Sequence, residues 1–317
     1  MSINMAKQRL LRCLLAVVLL SVSVAACSPE VDVGRSNASG VNLKSEVNPA
    51  AGTVVFPGDR FALSEVERMH LDDAYLVAYA VCAREHGVPF YAQFIGNGKA
   101  PEYSMRGGFG GPWTVEMANK YAYLGPMTEA DMIENGIISP TEKSEYVNPN
   151  ESITPEDREI MSKGCHKYKT AEKFRRYSEQ QGRPPAVDSL MVSSLWTKIK
   201  KDSDYNPLIS DLKKCYADSG ISVKPSSDAI LGFTVVGADY STINAQQIEL
   251  AVRDAKCQVK IDFMQKMADI IAKVQAPIIV ENLEDLTAWR KQLDEVLKEA
   301  DEYIDAHQDV IWKQATS

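Results

Sequence analysis

Apolar residues recur at every third or fourth position in three stretches of the chain, and this spacing predicts a mainly helical fold. The last two stretches, residues 248–274 and 286–304, are the most regular. Pro277 lies between them, and a helix should end or kink there because proline lacks a backbone N–H and clashes with the preceding turn. The pattern therefore predicts two long C-terminal helices, or one long helix with a bend.

Start and stop signals place the other helices. The first apolar stretch, residues 63–81, ends shortly before Gly87, and glycine is a common residue just past a helix C-terminus. Thr154 and Pro155 are followed by two acidic residues, which is typical of a helix N-terminus and predicts a helix through Cys165 towards Glu179. Shorter helices are predicted over residues 114–123, 128–134, 188–200 and 206–219.

The N-terminal segment has the pattern of a secretion signal. Three basic residues precede an apolar run, Leu14–Val24, which is too short to span a bilayer as a mature helix. The run ends in Val24-Ala25-Ala26-Cys27, which resembles a bacterial lipobox, and the resemblance implies lipidation of Cys27 and cleavage before it. An ordinary secretory cleavage site beside an unmodified cysteine, or an uncleaved anchor, is the alternative.

The composition suggests how the chain is organised. Residues 28–60 are rich in Ser, Asn, Gly and Pro and have no aromatic residue before Phe56, which predicts a flexible tether. The rest is long enough for one large or two small folded domains. We expect a signal peptide (1–26), a lipidated tether (27–60), a first helical unit (61–185) and a second helical unit with the long C-terminal helices (186–317).

Net charge narrows the range of partners. The formal charge is −8, and removal of the three basic signal residues would make it −11. An acidic surface disfavours nucleic acid and anionic lipid as electrostatic partners, although net charge also serves solubility. The membrane would therefore be contacted through the lipid anchor.

The cysteine count predicts two disulfides. Of the six cysteines, Cys13 lies in the signal and Cys27 is the expected lipidation site. An even number of cysteines in an extracytoplasmic protein is typical of disulfides, whereas free buried thiols and a metal site remain alternatives. No Cys-x-x-Cys motif supports zinc. The four cysteines concerned are Cys82, Cys165, Cys215 and Cys257.

A faint internal repeat suggests how these four cysteines pair. Residues 76–88 (LVAYAVCAREHGV) align without a gap on residues 209–221 (ISDLKKCYADSGI), with cysteine and glycine at matching positions. Each segment reads as a helix that carries cysteine in its last turns, and each is followed by a later cysteine. Four cysteines allow three connectivities. The simplest one pairs Cys82 with Cys165 and Cys215 with Cys257.

The sequence contains no complete catalytic, phosphate-binding, metal or calcium motif, so it predicts no cofactor, no metal and no catalytic residue. Residues 106–113 (RGGFGGPW) are unusual because four glycines surround Phe109 and lie next to Trp113. Phe109 and Trp113 could stack on a ligand that approaches the glycine backbone. The alternative is a tight turn with two rings packed on the core.

Five short motifs lie within residues 76–308: VCAREHGV, TVEMANKYAYLGP, LKKCYADSGI, QIELAVRDAKC and IVENLEDLTAWRKQL. Together they resemble a family of uncharacterised secreted lipoproteins of actinobacteria. The resemblance implies an envelope lipoprotein that works beside peptidoglycan-associated or export machinery, and it supplies no catalytic residues. Ala83 and Tyr216 depart from the family, where methionine is common, and Arg253 departs where the family has small residues.

Two classes of function follow from the sequence. The first is a membrane-anchored extracytoplasmic lipoprotein that serves as a binding or scaffold subunit of an envelope or transport complex. An apolar groove or exposed long helices would favour it. The second is a secreted hydrolase whose residues meet only in the fold. Paired carboxylates in a cleft, or a hydrogen-bonded Ser/His pair, would favour it, with Glu85, Glu102, His86 and His166 as candidates.

Overall fold

Ten α-helices occur in the part of the chain that the computed structural model describes, which is residues 40–49, 52–94, 114–124, 148–227 and 229–312. Helices make up 64% of these residues, so the predicted mainly α class with long C-terminal helices is confirmed. The chain clusters into two compact units, Met1–Asn42 and Leu43–Ser317. The second unit contains every helix and strand described here.

The helices are α1 (Glu65–Glu85), α2 (Val115–Tyr121), α3 (Pro155–Gly164), α4 (Lys169–Ser178), α5 (Pro185–Ser189), α6 (Val192–Ile199), α7 (Tyr205–Asp218), α8 (Ala245–Ile261), α9 (Phe263–Glu281) and α10 (Leu283–Ala306). Short 3-10 helices cover Pro57–Phe61, Cys165–Lys167 and Gln308–Val310. Two antiparallel hairpins complete these elements: β1 (Glu46–Asn48) with β2 (Thr53–Val55), and β3 (Val223–Pro225) with β4 (Phe233–Val235).

Helix α1 packs against α4 and α10. Ser64 caps it: the side chain accepts from the Glu67 N–H, and the Glu67 carboxylate accepts from the Ser64 N–H. The helix gives way to a turn just before Gly87, which takes the left-handed conformation. In the predicted apolar stripe Leu63, Ala74 and Val77 are buried, and His70 and Val81 are half-buried. Val66, in the first turn of the helix, is exposed.

The predicted helix over residues 154–179 starts as expected but is not continuous. Thr154 caps α3 through a reciprocal pair of hydrogen bonds with Asp157. The chain then tightens into the 3-10 helix Cys165–Lys167, and Tyr168 is extended, so α4 is a separate helix. This break follows Gly164, a residue of low helix propensity, and brings Cys165 to the end of α1.

The predicted helix over residues 188–200 is also interrupted, so that two helices, α5 and α6, cover this part of the chain. The break leaves the Leu190 carbonyl outside a helix, where it accepts a hydrogen bond from Gln275 Nε2 at 2.6 Å. Gln275 Oε1 accepts from the Gly58 N–H at 3.0 Å. The buried Gln275 side chain on α9 therefore pairs two backbone groups, the Gly58 N–H and the Leu190 carbonyl, that would otherwise be buried without a hydrogen bond.

The C-terminal region contains three helices rather than two. Asp262 takes the left-handed conformation (φ 55°, ψ 45°) and separates α8 from α9. Pro277 lies inside α9, which continues to Glu281, so the helix does not end at this proline. Aspartate tolerates the left-handed conformation better than most residues, which permits the turn at Asp262 without a glycine.

The folded unit begins earlier than the composition suggests. Residues 43–60 were predicted to belong to the tether, but they contain the β1–β2 hairpin, and Val54 and Phe56 are buried in the main apolar core. The hydroxyl of Ser45 donates to the Ala268 carbonyl of α9 at 2.9 Å. The chain also does not divide at 185/186, since Leu43–Ser317 is one unit. Helix contacts cross that position, notably α1 with α10 and α2 with α8.

Both predicted disulfides are confirmed. Cys82 is bonded to Cys165 across 83 residues, and Cys215 to Cys257 across 42 residues. Each joins a helix end to a later segment, as the internal repeat suggests. The second disulfide lies in the main core between α7 and α8.

Among the described residues, none of the helices combines the length and the apolar character needed to cross a membrane.

Candidate functional site

A groove of about 680 Å³ lies at the turn between α8 and α9. We call it the junction groove. Its volume lies within the range usual for sites that hold a small molecule or a short peptide segment. Its walls come from the first hairpin, the start of α2 and both helices at the turn. The lining residues are Val47, Pro49, Thr114, Val115, Gln258, Val259, Asp262, Phe263, Met264 and Gln265.

The turn at Asp262 shapes the groove. The Asp262 backbone N–H bonds to the carbonyls of Gln258 and Val259, which closes α8 before the chain redirects into α9. Phe263 points into the core and is fully buried, whereas Val259 is 58% exposed. The apolar spacing of residues 248–274 predicts a buried Val259, so its exposure differs from that expectation. The junction groove thus carries an apolar side chain in open solvent beside one carboxylate and two amides.

A buried polar network lies behind the groove. The Asp254 carboxylate on α8 is inaccessible to solvent and accepts three hydrogen bonds. They come from the hydroxyl of Tyr216 at 2.6 Å, the amide of Gln258 at 3.0 Å and the hydroxyl of Tyr123 at 3.2 Å. Gln258 also lines the groove, so this network orients one of the groove's polar side chains.

Burial dominates the electrostatics of this network. Loss of hydration raises the pKa of Asp254 to about 6, although the donors Tyr216, Gln258 and Tyr123 stabilise the carboxylate and limit the rise. Burial, and then the neighbouring charge of Asp254, raise the pKa of Tyr216 and of Tyr123 above the ordinary tyrosine value. Both tyrosines are therefore neutral donors at physiological pH.

A second cavity, of about 310 Å³, lies between residues 56–63 and residues 180–193. Its walls are mainly apolar core side chains such as Leu63 and Leu190, with Met191 half exposed at the rim. Arg183 at its edge is paired with Asp188 at 2.5 Å. The cavity is smaller than the junction groove, and the buried side chain of Gln275 bonds to the backbone of two of its lining residues, Gly58 and Leu190.

Several predicted site residues, namely Cys27, Glu102, Phe109 and Trp113, lie outside the described residues. The described hydrolase candidates are occupied by structural contacts. Glu85 accepts from the Tyr168 hydroxyl at 3.3 Å, and the His166 ring lies 5.7 Å from the Tyr79 ring. His86 Nδ1 lies 2.9 Å from the Cys82 carbonyl.

Paired carboxylates occur in a shallow depression of about 420 Å³ between α4 and α10. Glu299 is ion-paired with Lys173, and Glu302 lies 3.6 Å from Lys298, so each carboxylate faces a cation. Among the described histidines, none is hydrogen-bonded to a serine. The described residues therefore assemble neither arrangement that would favour a hydrolase.

Sequence reasoning did not find the Asp254 network. Asp254 lies between Ala251, Ala255 and Cys257, all of which are buried, so its spacing puts it on the inner face of α8. That spacing was a usable signal, because a carboxylate among buried small residues needs hydrogen-bond donors. The donor Tyr216 comes from α7 and Tyr123 from the segment after α2. Their approach to Asp254 depends on tertiary packing.

Comparison with protein-family models gives no match to this chain, and neither the curated proteins nor the solved structures compared with it give a match.

Proposed function

We propose that the protein is a lipid-anchored extracytoplasmic binding subunit of an envelope or transport complex, and that it contacts its partner through the junction groove. The exposed apolar groove is the observation that carries the binding role. The lipobox at Cys27 supports the anchor, and two disulfides fit an oxidising compartment. The resemblance to actinobacterial secreted lipoproteins supports the same location.

The chemistry of the groove favours binding over catalysis. Six of its ten lining residues are apolar, and its polar members are Thr114, Gln258, Asp262 and Gln265. A single carboxylate with amides and a hydroxyl can orient a bound segment, but it offers no nucleophile–base pair. Asp254 lies beneath the surface, where it supports Gln258 and cannot reach a substrate. The groove therefore suits a partner segment with apolar side chains and exposed backbone polar groups.

Site-specific photocrosslinking in cells tests the groove as the contact surface. A benzophenone side chain at Val259 should give a discrete adduct with a neighbouring envelope protein. Val280 is the matched control, because it is a valine on the adjoining helix α9, lies outside the groove and is 60% exposed against 58% for Val259. The same probe at Val280 should give no such adduct. Equal labelling at both positions, or none at Val259, would contradict the proposal.

The lipid anchor is tested separately. Cys27→Ser removes the thiol that would carry the diacylglycerol group, so the variant should accumulate as an uncleaved precursor or be released from the membrane. Metabolic labelling with a lipid analogue, followed by fractionation, measures both effects. Cys13→Ser, which lies within the predicted signal, is the control and should keep the label. Label retained on Cys27→Ser would refute the assignment.

A further inference from the structure

A histidine lies beside one of the two disulfides. His86 Nδ1 is 3.8 Å from the sulfur of Cys82. The ligand atoms of Cys82, His86 and Cys165 all lie within 4.8 Å of one another. In the part of the chain that the structure describes, this is the one group of three His, Cys or carboxylate side chains that converges so closely.

The fold positions these three side chains in specific ways. Cys82 and His86 are four residues apart at the end of α1, so they lie on one face of the helix. Cys165 follows Gly164, and a Cβ atom at Gly164 would stand 3.0 Å from His86 Nε2. A larger residue at position 164 would therefore press on the imidazole. The absence of a side chain there allows the ring to lie against the Cys165 segment.

The donor set suits a thiophilic cation. Two thiolates and one imidazole are typical zinc ligands, with bond lengths near 2.3 Å to sulfur and 2.0–2.1 Å to nitrogen. Tetrahedral geometry then places sulfur and nitrogen about 3.6 Å apart. The Cys82–His86 separation of 3.8 Å is close to this value. His86 is exposed, so a water molecule can occupy the fourth position.

The imidazole can change its role without leaving a backbone group unpaired. Nδ1 now lies 2.9 Å from the Cys82 carbonyl, to which it can donate its proton. Metal binding through Nδ1 requires the tautomer that carries the proton on Nε2. The Cys82 carbonyl also accepts the His86 backbone N–H at 3.2 Å, so it stays hydrogen-bonded when the ring turns away.

We propose that Cys82, His86 and Cys165 form a redox-gated site for a thiophilic divalent cation such as Zn²⁺. A dithiol reductant gives two electrons and two protons to the Cys82–Cys165 disulfide and itself becomes a disulfide. The cation then displaces the two thiol protons into solvent and binds both thiolates together with the imidazole. The oxidised protein offers no thiolate, so it does not bind the cation. This inference does not depend on the proposed function.

The other disulfide provides a control within the same chain. Cys215 and Cys257 also supply two sulfurs on reduction, but the polar side chain beside them is the hydroxyl of Ser219, 3.3 Å from Cys257. A hydroxyl is a poor ligand for a thiophilic ion. The described residues bring no histidine or carboxylate into a three-ligand group with that pair.

Cobalt(II) is the probe, because thiolate ligation gives a charge-transfer absorption band. The full chain, solubilised in detergent and reduced anaerobically with a phosphine, should bind one equivalent with this band. The oxidised chain should show none. Cys215→Ser/Cys257→Ser should keep the band, and Cys82→Ser/Cys165→Ser should lose it. His86→Gln should weaken binding by at least the roughly 10-fold cost of losing an outer-shell partner.

Circular dichroism on the same samples measures helix content and so shows whether the reduced chain has unfolded. If reduction lowers the helix content, cobalt or zinc should restore it in the chain that retains Cys82, His86 and Cys165. A reduced chain that shows no charge-transfer band, folded or not, overturns the proposal. A band that survives in Cys82→Ser/Cys165→Ser, or an affinity unchanged in His86→Gln, also overturns it.

Discussion

Replacement of Cys215 and Cys257 together by alanine is expected to lower the free energy of unfolding by about 4 kcal/mol. The bond closes a loop of 42 residues, and the closed loop restricts the unfolded chain far more than the folded one. In the chain-entropy model this restriction is the source of the stabilisation. The loss should be large because the disulfide also joins α7 to α8 inside the main core.

Guanidinium unfolding followed by circular dichroism measures this effect. Cys82→Ala/Cys165→Ala opens a loop of 83 residues and should cost slightly more, about 4.5 kcal/mol, since loop entropy grows only slowly with length. The oxidised wild-type chain is the reference, and alanine leaves no free thiol at either site. A double variant as stable as the oxidised wild type would contradict the role assigned to that disulfide.

Stability is expected to fall as pH rises through the titration of Asp254. Burial raises the pKa of this carboxyl in the folded protein from 3.8 to about 6. The folded state therefore holds the proton more tightly than the unfolded state, and the stabilisation is fully present below pH 4. It is lost between pH 4 and pH 6. Titration of this one group changes the free energy of unfolding by about 3 kcal/mol in total.

The variant Asp254→Asn isolates this contribution, because the amide does not titrate and can still meet the Tyr123 and Tyr216 hydroxyls. The difference in unfolding free energy between wild type and variant should change by about 3 kcal/mol from pH 4 to pH 7, in favour of the wild type at low pH. Tyr216→Phe is the companion variant. It removes a donor that lowers the Asp254 pKa, so it should widen the pH dependence. A difference that stays constant with pH would contradict the assignment.

The sequence patterns predicted helices well where local signals and burial agree. Thr154 starts a helix because its capping partner Asp157 is three residues away, and both hydrogen bonds are local. The Cys215–Cys257 bond followed from the repeated spacing of cysteine and glycine at two helix ends. The cap depends on neighbours in the sequence and the disulfide pairing on a repeat visible in it, so both can be predicted without knowing the fold.

The breaks in the helices were not predictable in the same way. The apolar spacing runs unchanged from Val259 to Phe263, yet Asp262 turns the chain and leaves the first exposed and the second buried. No glycine or proline near Asp262 in the sequence signals this turn. At Pro277 the sequence left two outcomes open, an end or a kink, and the structure shows that the helix continues past this residue to Glu281. In both places tertiary packing outweighed local propensity.

The candidate site was the least predictable part of the molecule. The junction groove exists because the hairpin at residues 46–55, the start of α2 and the α8–α9 turn meet in space. The hairpin itself escaped prediction because its strands have three residues each, which is too short for a period to show. The composition of residues 28–60 changes only gradually towards Phe56, so it did not reveal where folding begins.

The early start of the folded unit limits the distance between Cys27 and the junction groove. Leu43 is 16 residues after Cys27, and a chain of that length spans at most about 55 Å when fully extended. Val47, at the groove, is four residues further on, which gives a limit of about 70 Å. If Cys27 carries the lipid, the groove can meet only molecules that lie within this distance of the bilayer surface. A partner anchored farther away would need a segment that extends to within this distance of the bilayer.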